Sequence, residues 1–413
     1  MLILSLGMAF PTPNPLLYIF SNTSQQLASQ FPQLYFPLSF QYSLSLTQMA
    51  LKLLPVSQIP SLDLCCSSRS PREVEMEQRR FEVAKFAVIG HRGSGMNDLQ
   101  SLDQRMRAIK ENSIVSFKAA SNLALDFIEF DVQVTKDNCP VIFHDDHIFC
   151  EENGTVFGEK VTELTLSEFL SCGPQRDKKG KTLLRKTEEG KLVKWNVEQD
   201  DSLCTLHEAF VNVNPSLGFN IELKFDDYIV YEQGYLVHVL HSILKVVFEH
   251  GKNRPIIFST FQPDAAILVR KLQSTYPVFF LTEGGCELYQ DVRRNSLEEA
   301  LKLCTEHGLQ GIVSEVKGIF RNPEAVRKIK ECSNKLSLFT YGKLNNVPEA
   351  VYMQHLMGID GVIVDFVKEI AELVLDINGQ GMEEMLQVKN FKPQFSQQEL
   401  SFLLKLIPEL IQI

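Results

Sequence analysis

From Lys85 onward, short runs rich in Val, Ile and Phe alternate with longer stretches whose apolar residues return at helical spacing. Nine runs have strand character: 86–90, 127–134, 141–144, 219–224, 256–260, 278–282, 311–315, 336–341 and 361–365. Helix-length segments separate most of them, among others 112–123, 228–250, 263–275 and 323–333. This is βα repetition, and eight such units close a barrel, so the expected architecture is an α/β fold of the (β/α)8 type. The ninth run is informative. Only six residues lie between Val134 and Val141, and a parallel crossover needs about a dozen. The second and third runs must therefore form an antiparallel hairpin, turning at Lys136-Asp137-Asn138 and bringing His144 back beside Glu129 and Asp131.

Outside the repeats the pattern changes. Residues 147–204 are polar, rich in Gly and Lys, and hold the single tryptophan, Trp195. They read as an insertion over the rim of the barrel, where substrate preference is expected to reside. The barrel domain is expected to span 85–378. A helical tail, 379–413, carries a capping-box pattern at Ser396 and Glu399, with Leu400, Leu403, Leu404 and Ile407 at helical spacing. Residues 1–68 contain only Lys52 and Asp63 as charges, which puts a boundary near 70–84. Residues 1–48 read as an atypical extension upstream of a natural start at Met49. Residues 49–84 read as a targeting segment: the Ser-rich, acid-poor composition of residues 1–68 suits organellar import, although no Arg precedes Arg69.

Composition narrows the function classes. Asp and Glu number 51 against 41 Lys and Arg, and no block of like charge stands out, which argues against a nucleic-acid partner or a polybasic membrane surface. The nine cysteines include no C-x-x-C pair, so neither a zinc knot nor a disulfide framework is expected, and the compartment reads as reducing. No run is long enough for a transmembrane segment.

The candidate chemistry sits at strand ends. Glu129 and Asp131 are two apart and so share one face of their strand. Two carboxylates on an inward face require either a cation or a protonated partner. Glu222 offers a third oxygen from another strand end; alone, it would read as a rim salt bridge with Lys224, but beside the other two acids it reads as a ligand. An all-oxygen set favours Mg²⁺ or Ca²⁺ over zinc. His91 follows the first strand, flanked by Gly90 and by Arg92, a residue suited to bidentate phosphate binding. A rim histidine satisfied by a carboxylate is the ordinary explanation for either His91 or His144 singly; two histidines, two cations and three carboxylates at strand ends read instead as metal-assisted phosphodiester chemistry. His238 and His241 read as one face of a helix, and Asp226-Asp227 as the N-terminal signal of the helix opening at Tyr228.

The motifs His91-Arg92-Gly93, Glu111-Asn112-Ser113, Glu129-Phe130-Asp131-Val132, Thr135-Lys136-Asp137, His144-Asp145, Glu222-Leu223-Lys224 and Gly361 to Asp365 occur in that order. In this the stretch from Lys85 to Asp376 resembles the glycerophosphodiester phosphodiesterase family, and the runs 90–97 and 340–346 are most similar to its plant, plastid-type branch. The resemblance implies a (β/α)8 TIM barrel of the PLC-like phosphodiesterase type and hydrolysis of small glycerophosphodiesters to sn-glycerol 3-phosphate and an alcohol. It implies Mg²⁺, with Ca²⁺ as the alternative, and a plastid location, with the cytoplasm as runner-up. Carried over by position, His91 and His144 would be general acid and base, Glu129, Asp131 and Glu222 metal ligands, and Arg92 and Lys224 the phosphate clamp. Two positions depart from the family pattern: Ser113 stands where many members have Thr, and Tyr341 stands in the region where a tryptophan is often found. A lysophospholipase D-like enzyme and a non-catalytic phosphate-binding barrel are the rival readings.

Overall fold

The computed structural model describes residues 85–174, 181–187, 189–332 and 336–385. The expected segments 1–48 and 49–84 and the capping box at Ser396 lie outside them. Fourteen strands are described. Eight are parallel and closed on themselves: β1 (Ala87–Gly90), β2 (Phe127–Val134), β9 (Gly218–Leu223), β10 (Ile256–Thr260), β11 (Val278–Thr282), β12 (Gly311–Glu315), β13 (Ser337–Tyr341) and β14 (Gly361–Val364). β1 pairs with β14 on one side and with β2 on the other, which completes the barrel.

The period of two along each strand sorts the side chains. Outward residues such as Ile128, Phe130, Phe219, Ile221 and Phe258 pack beneath the surrounding helices in the main core. Inward residues are apolar at the lower end, where Phe127, Ile257, Phe279 and Phe339 fill the barrel. Toward the C-terminal ends of the strands the same inward face becomes polar, with Glu129, Asp131, Asn220, Glu222 and Ser259 all buried. The plug below and the acids above therefore follow from one alternation.

β3 (Pro140–Ile142) runs antiparallel to β2, with Val132 opposite Ile142 and Val134 opposite Pro140, as the short connection requires. Asn138 takes a left-handed φ of 64° in the turn, and the Asn138 N–H donates to the Thr135 carbonyl (2.9 Å). β3 also pairs with the short β8 (Cys204–Thr205). Between them the insertion is more ordered than its polar composition suggests. β4 (His147–Glu152), β5 (Thr155–Lys160), β6 (Thr182–Lys186) and β7 (Leu192–Lys194) form a second antiparallel sheet in the order β5-β4-β6-β7. Ile148, Val161, Phe169, Leu183 and Trp195 make its core, which continues into Val141 and Phe143 of the hairpin.

Two helix starts differ from the periodic expectation. The helix expected from 112 begins at Ile114, because the Ser113 hydroxyl accepts from Ser116 N–H and caps it. The long helix begins at Gln233, not Tyr228. Residues 226–231 close on themselves, with Asp226 N–H donating to the Tyr231 hydroxyl (2.8 Å). Asp226 and Asp227 thus serve no helix terminus: Asp226 pairs with Lys160 (3.2 Å) and Asp227 with Arg294 (2.7 Å). The helix Val367–Met385 runs through the boundary expected at 378. Among the described residues no helix is long and apolar enough to cross a membrane.

Phe169 is fully buried and meets Phe143 edge-on at 6.0 Å. Phe169→Ala should cost roughly 3–5 kcal/mol in urea unfolding followed by Trp195 fluorescence. A cost below about 1 kcal/mol would show that the insertion does not share its core with the hairpin.

Candidate active site

Register brings the acids together. In the β2–β9 pairing Glu129 lies opposite Asn220 and Asp131 opposite Glu222, so the inward carboxylates of two neighbouring strands end at one level. One oxygen from each of Glu129, Asp131 and Glu222 falls within 4.8 Å of the others. Burial, then the neighbouring Asp131, pushes the Glu129 carboxyl up to about 8, and burial also raises Glu222. Burial acts on Asp131 too, but His144, Arg92 and Lys224 outweigh it and hold this carboxyl below its ordinary value. Glu129 Oε1 is buried with no hydrogen-bond partner. Three oxygen donors, one of them buried without a hydrogen-bond partner, are a donor set suited to a hard divalent cation.

The loop after β1 is shaped to serve this cluster. Arg92 adopts a left-handed φ of 50°, uncommon for a side chain of its size, and its backbone N–H donates to Glu129 Oε2 (2.9 Å). A Cβ on Gly93, whose φ is 95°, would stand 2.4 Å from Ser116 Oγ, so only glycine completes the turn. Asn112, also left-handed at 53°, donates its backbone N–H to the Arg92 carbonyl and its Nδ2 to Asp131 Oδ2 (2.8 Å). The Arg92 guanidinium is tied to Glu111 (2.6 Å) and lies 3.5 Å from Asp131, while its buried Nε has no hydrogen-bond partner. Lys224 Nζ reaches Glu222 (2.9 Å) and Asp131 (3.7 Å). The salt bridge and the acidic cluster coexist.

Both histidines are held by one nitrogen. His91 Nδ1–H donates to Asp365 Oδ1 (2.7 Å), leaving Nε2 at 3.9 Å from Glu129. Asp365 is itself fixed by Asn346 Nδ2 (2.9 Å) and Met96 N–H. His144 Nδ1–H donates to Asp145 (2.8 Å), and Gln133 Nε2 donates to the carbonyls of Phe143 and Asp145, clamping the His144 backbone from both sides. The hydrogen bonds assign the Nδ1–H tautomer to each ring and leave Nε2 for chemistry. Their surroundings push the two imidazoles in opposite directions. Burial lowers His91, but Asp365 overrides it and raises the imidazole above its ordinary value. Burial, reinforced by Arg92 and Lys224, holds His144 well below it.

A cavity of about 400 Å³ opens beside this cluster, lined by His144, Glu222, Lys224, Phe261, Glu283 and Tyr289 among others. Its lining draws on rim loops and includes no residue of 147–204. Tyr341 meets Phe261 edge-on at 5.9 Å. All seven residues singled out from sequence lie at this end of the barrel. Sequence reasoning gave no role to Asp365, Glu111, Asn112 or Asp145, although the motifs contained them; Asp365 was findable, being two beyond the inward Ile363. Gln133, Asn346 and Arg185 were missed. His238 contacts Asn138 Oδ1 (2.6 Å) and stays on its helix face, away from the site.

A model of the glycerophosphoryl diester phosphodiesterase family matches residues 91–369. The Arabidopsis thaliana proteins named glycerophosphodiester phosphodiesterase GDPD1, chloroplastic, and glycerophosphodiester phosphodiesterase GDPD2 are 62% and 60% identical to this chain, covering 88% of it and 100% of their own lengths. Among solved structures, an Oleispira antarctica phosphodiesterase in complex with its product sn-glycerol-3-phosphate is similar in fold. Its TM-score is 0.50 at 19% identity, over 70% of this chain and 96% of the other.

Asp365 is nearly buried, and His91 and Asn346 overcome the effect of burial to hold its carboxyl down at about 2 against an ordinary 3.8. A depressed acid stabilises the fold above its unfolded value and stops doing so as pH falls through its folded value. Asp365→Asn should therefore lose about 2 kcal/mol near neutrality. Urea titrations from pH 7 downward should show the wild-type advantage intact above pH about 4 and shrinking below it.

Proposed function

We propose, given that the chain belongs to the glycerophosphoryl diester phosphodiesterase family, that it hydrolyses small glycerophosphodiesters to sn-glycerol 3-phosphate and the headgroup alcohol. The observation that carries the mechanism is the pairing of two histidines, each held through Nδ1 by a carboxylate and pushed in opposite directions by their surroundings, at a cluster of three buried acids. Glu129, Asp131 and Glu222 would hold Mg²⁺ or Ca²⁺, the oxygen-only set disfavouring zinc. When bound, the cation polarises a phosphoryl oxygen and offsets the charge developing at phosphorus.

The remaining work falls to the chain's own groups. His144, kept neutral with its Nε2 lone pair free, accepts the proton of the attacking hydroxyl. His91, kept protonated by Asp365, gives a proton from Nε2 to the departing alkoxide. Environments that push two like groups apart in pKa mark the acid and the base. Lys224, on the cavity wall, and Arg92, whose Nε makes no hydrogen bond, supply positive charge to the phosphate. The chloroplastic designation of the Arabidopsis relative supports a plastid location for this chain as well.

Incubation with glycerophosphocholine and, separately, lysophosphatidylcholine, each with and without EDTA, tests the reading. Choline should appear from the first substrate only, EDTA should stop its release, and Mg²⁺ or Ca²⁺ should restore it. Choline from the second substrate at a comparable rate would favour lysophospholipase D-like chemistry, and none from either would favour a binding barrel.

Activity should rise as pH climbs through the depressed His144 value and fall as it passes the raised His91 value. His91→Ala should reduce kcat by about 10²- to 10⁴-fold and remove the alkaline limb of the profile. Near-normal turnover in this variant would exclude His91 as the acid.

A further inference from the structure

Arg185 lies on β6 of the insertion, seventy-four positions from Glu111 in sequence, yet it reaches the centre of the site. Its Nη1 donates to Glu111 Oε2 (3.0 Å) and to the Asn97 carbonyl (2.9 Å), and its Nη2 stands 3.7 Å from Asp145 Oδ1. The guanidinium lies 4.4 Å from the Trp195 ring centroid, and Trp195 Nε1 in turn donates to Asn97 Oδ1 (3.0 Å). Glu111 is the carboxylate that grips Arg92, and Asp145 the one that orients the His144 ring. One planar fork thus touches both carboxylates that hold the flanks of the acidic cluster.

We propose that Arg185 is a positioning residue for the reaction: by bridging Glu111 and Asp145 it sets Arg92 and the His144 ring in place, and so makes the insertion a working part of the site. This rests on the roles proposed above for His144 and Arg92. A fixed, planar donor set spans two carboxylates and a carbonyl, and a stacked indole removes its freedom to swing away. A lysine placed there reaches one carboxylate at a time. Outer partners of this kind commonly change activity 10- to 100-fold without touching the reacting atoms.

The test uses the full chain with glycerophosphocholine and Mg²⁺. Arg185→Met should lower kcat about 10- to 100-fold while KM moves less than about threefold. Arg185→Lys should recover part of the loss. Asp145→Asn should lower kcat too, and the Arg185→Met/Asp145→Asn double variant should lose clearly less than the two single losses combined, because both changes act in part through the same ring. The single tryptophan is an internal control, since it sits against the substituted residue. Unshifted Trp195 emission and an unchanged melting temperature, together with reduced kcat, support positioning. Native emission with wild-type kcat overturns the proposal. So does a loss of kcat that scales only with the fraction of protein unfolded, or one that adds in full to that of Asp145→Asn. A wild-type chain that hydrolyses no glycerophosphodiester overturns the proposed function itself, an outcome separate from all of these.

Discussion

Three carboxylates buried close together are the condition to which the upper half of this barrel answers. Withdrawing a charge from water costs several kcal/mol even after relaxation, and like neighbours add to it. The surroundings compensate from every side: Lys224 from just past the end of the strand that carries Glu222, the Arg92 backbone and guanidinium from the first loop, and Asn112 from the next. Two of these donors, Arg92 and Asn112, sit in left-handed backbone that costs roughly 1–3 kcal/mol apiece. Such strain persists because it aims amide hydrogens at oxygens that nothing else could satisfy. The compensation is nonetheless incomplete, since Glu129 Oε1 is left unmatched and its carboxyl is pushed up toward protonation.

Much of this was legible in the sequence because it depends on local period and on length. Strand alternation placed Glu129 and Asp131 on one face, and a six-residue connection allowed only a hairpin, which returns His144 to its place. What remained hidden acts between distant segments and leaves no periodic trace. Gln133 was one inward residue among several until the carbonyls of Phe143 and Asp145 gave it a purpose. Arg185 lay in a polar stretch whose strands are short, and β5 is exposed along nearly its whole length, so no alternation announced a sheet. The expected helix start at Tyr228 failed for a related reason: the Asp226-Asp227 pair resembles an N-terminal signal, but ion pairs with Lys160 and Arg294 claim it.

The insertion was expected to govern which substrate enters. The cavity beside the acids is walled by rim loops, while Lys160, Thr162 and Glu163 of the insertion line a second cavity with Lys224; the insertion also shares its apolar core with the hairpin, and its half-buried Arg185 reaches Glu111. The barrel supplies the acids and the insertion stiffens what surrounds them. This division is consistent with a scaffold whose chemistry is set at one end.

Closure of the barrel carries a temporal consequence. His91 takes its hydrogen-bond partner from Asp365, 274 positions later, and the first strand is flanked by the last. On the ribosome, a nascent chain exposes that imidazole long before the final strand leaves the exit tunnel. Contacts of such sequence separation form late and slowly. The His91–Asp365 pair therefore forms only after the strand Gly361–Val364 has emerged, and no shorter nascent chain holds the first ring by this contact.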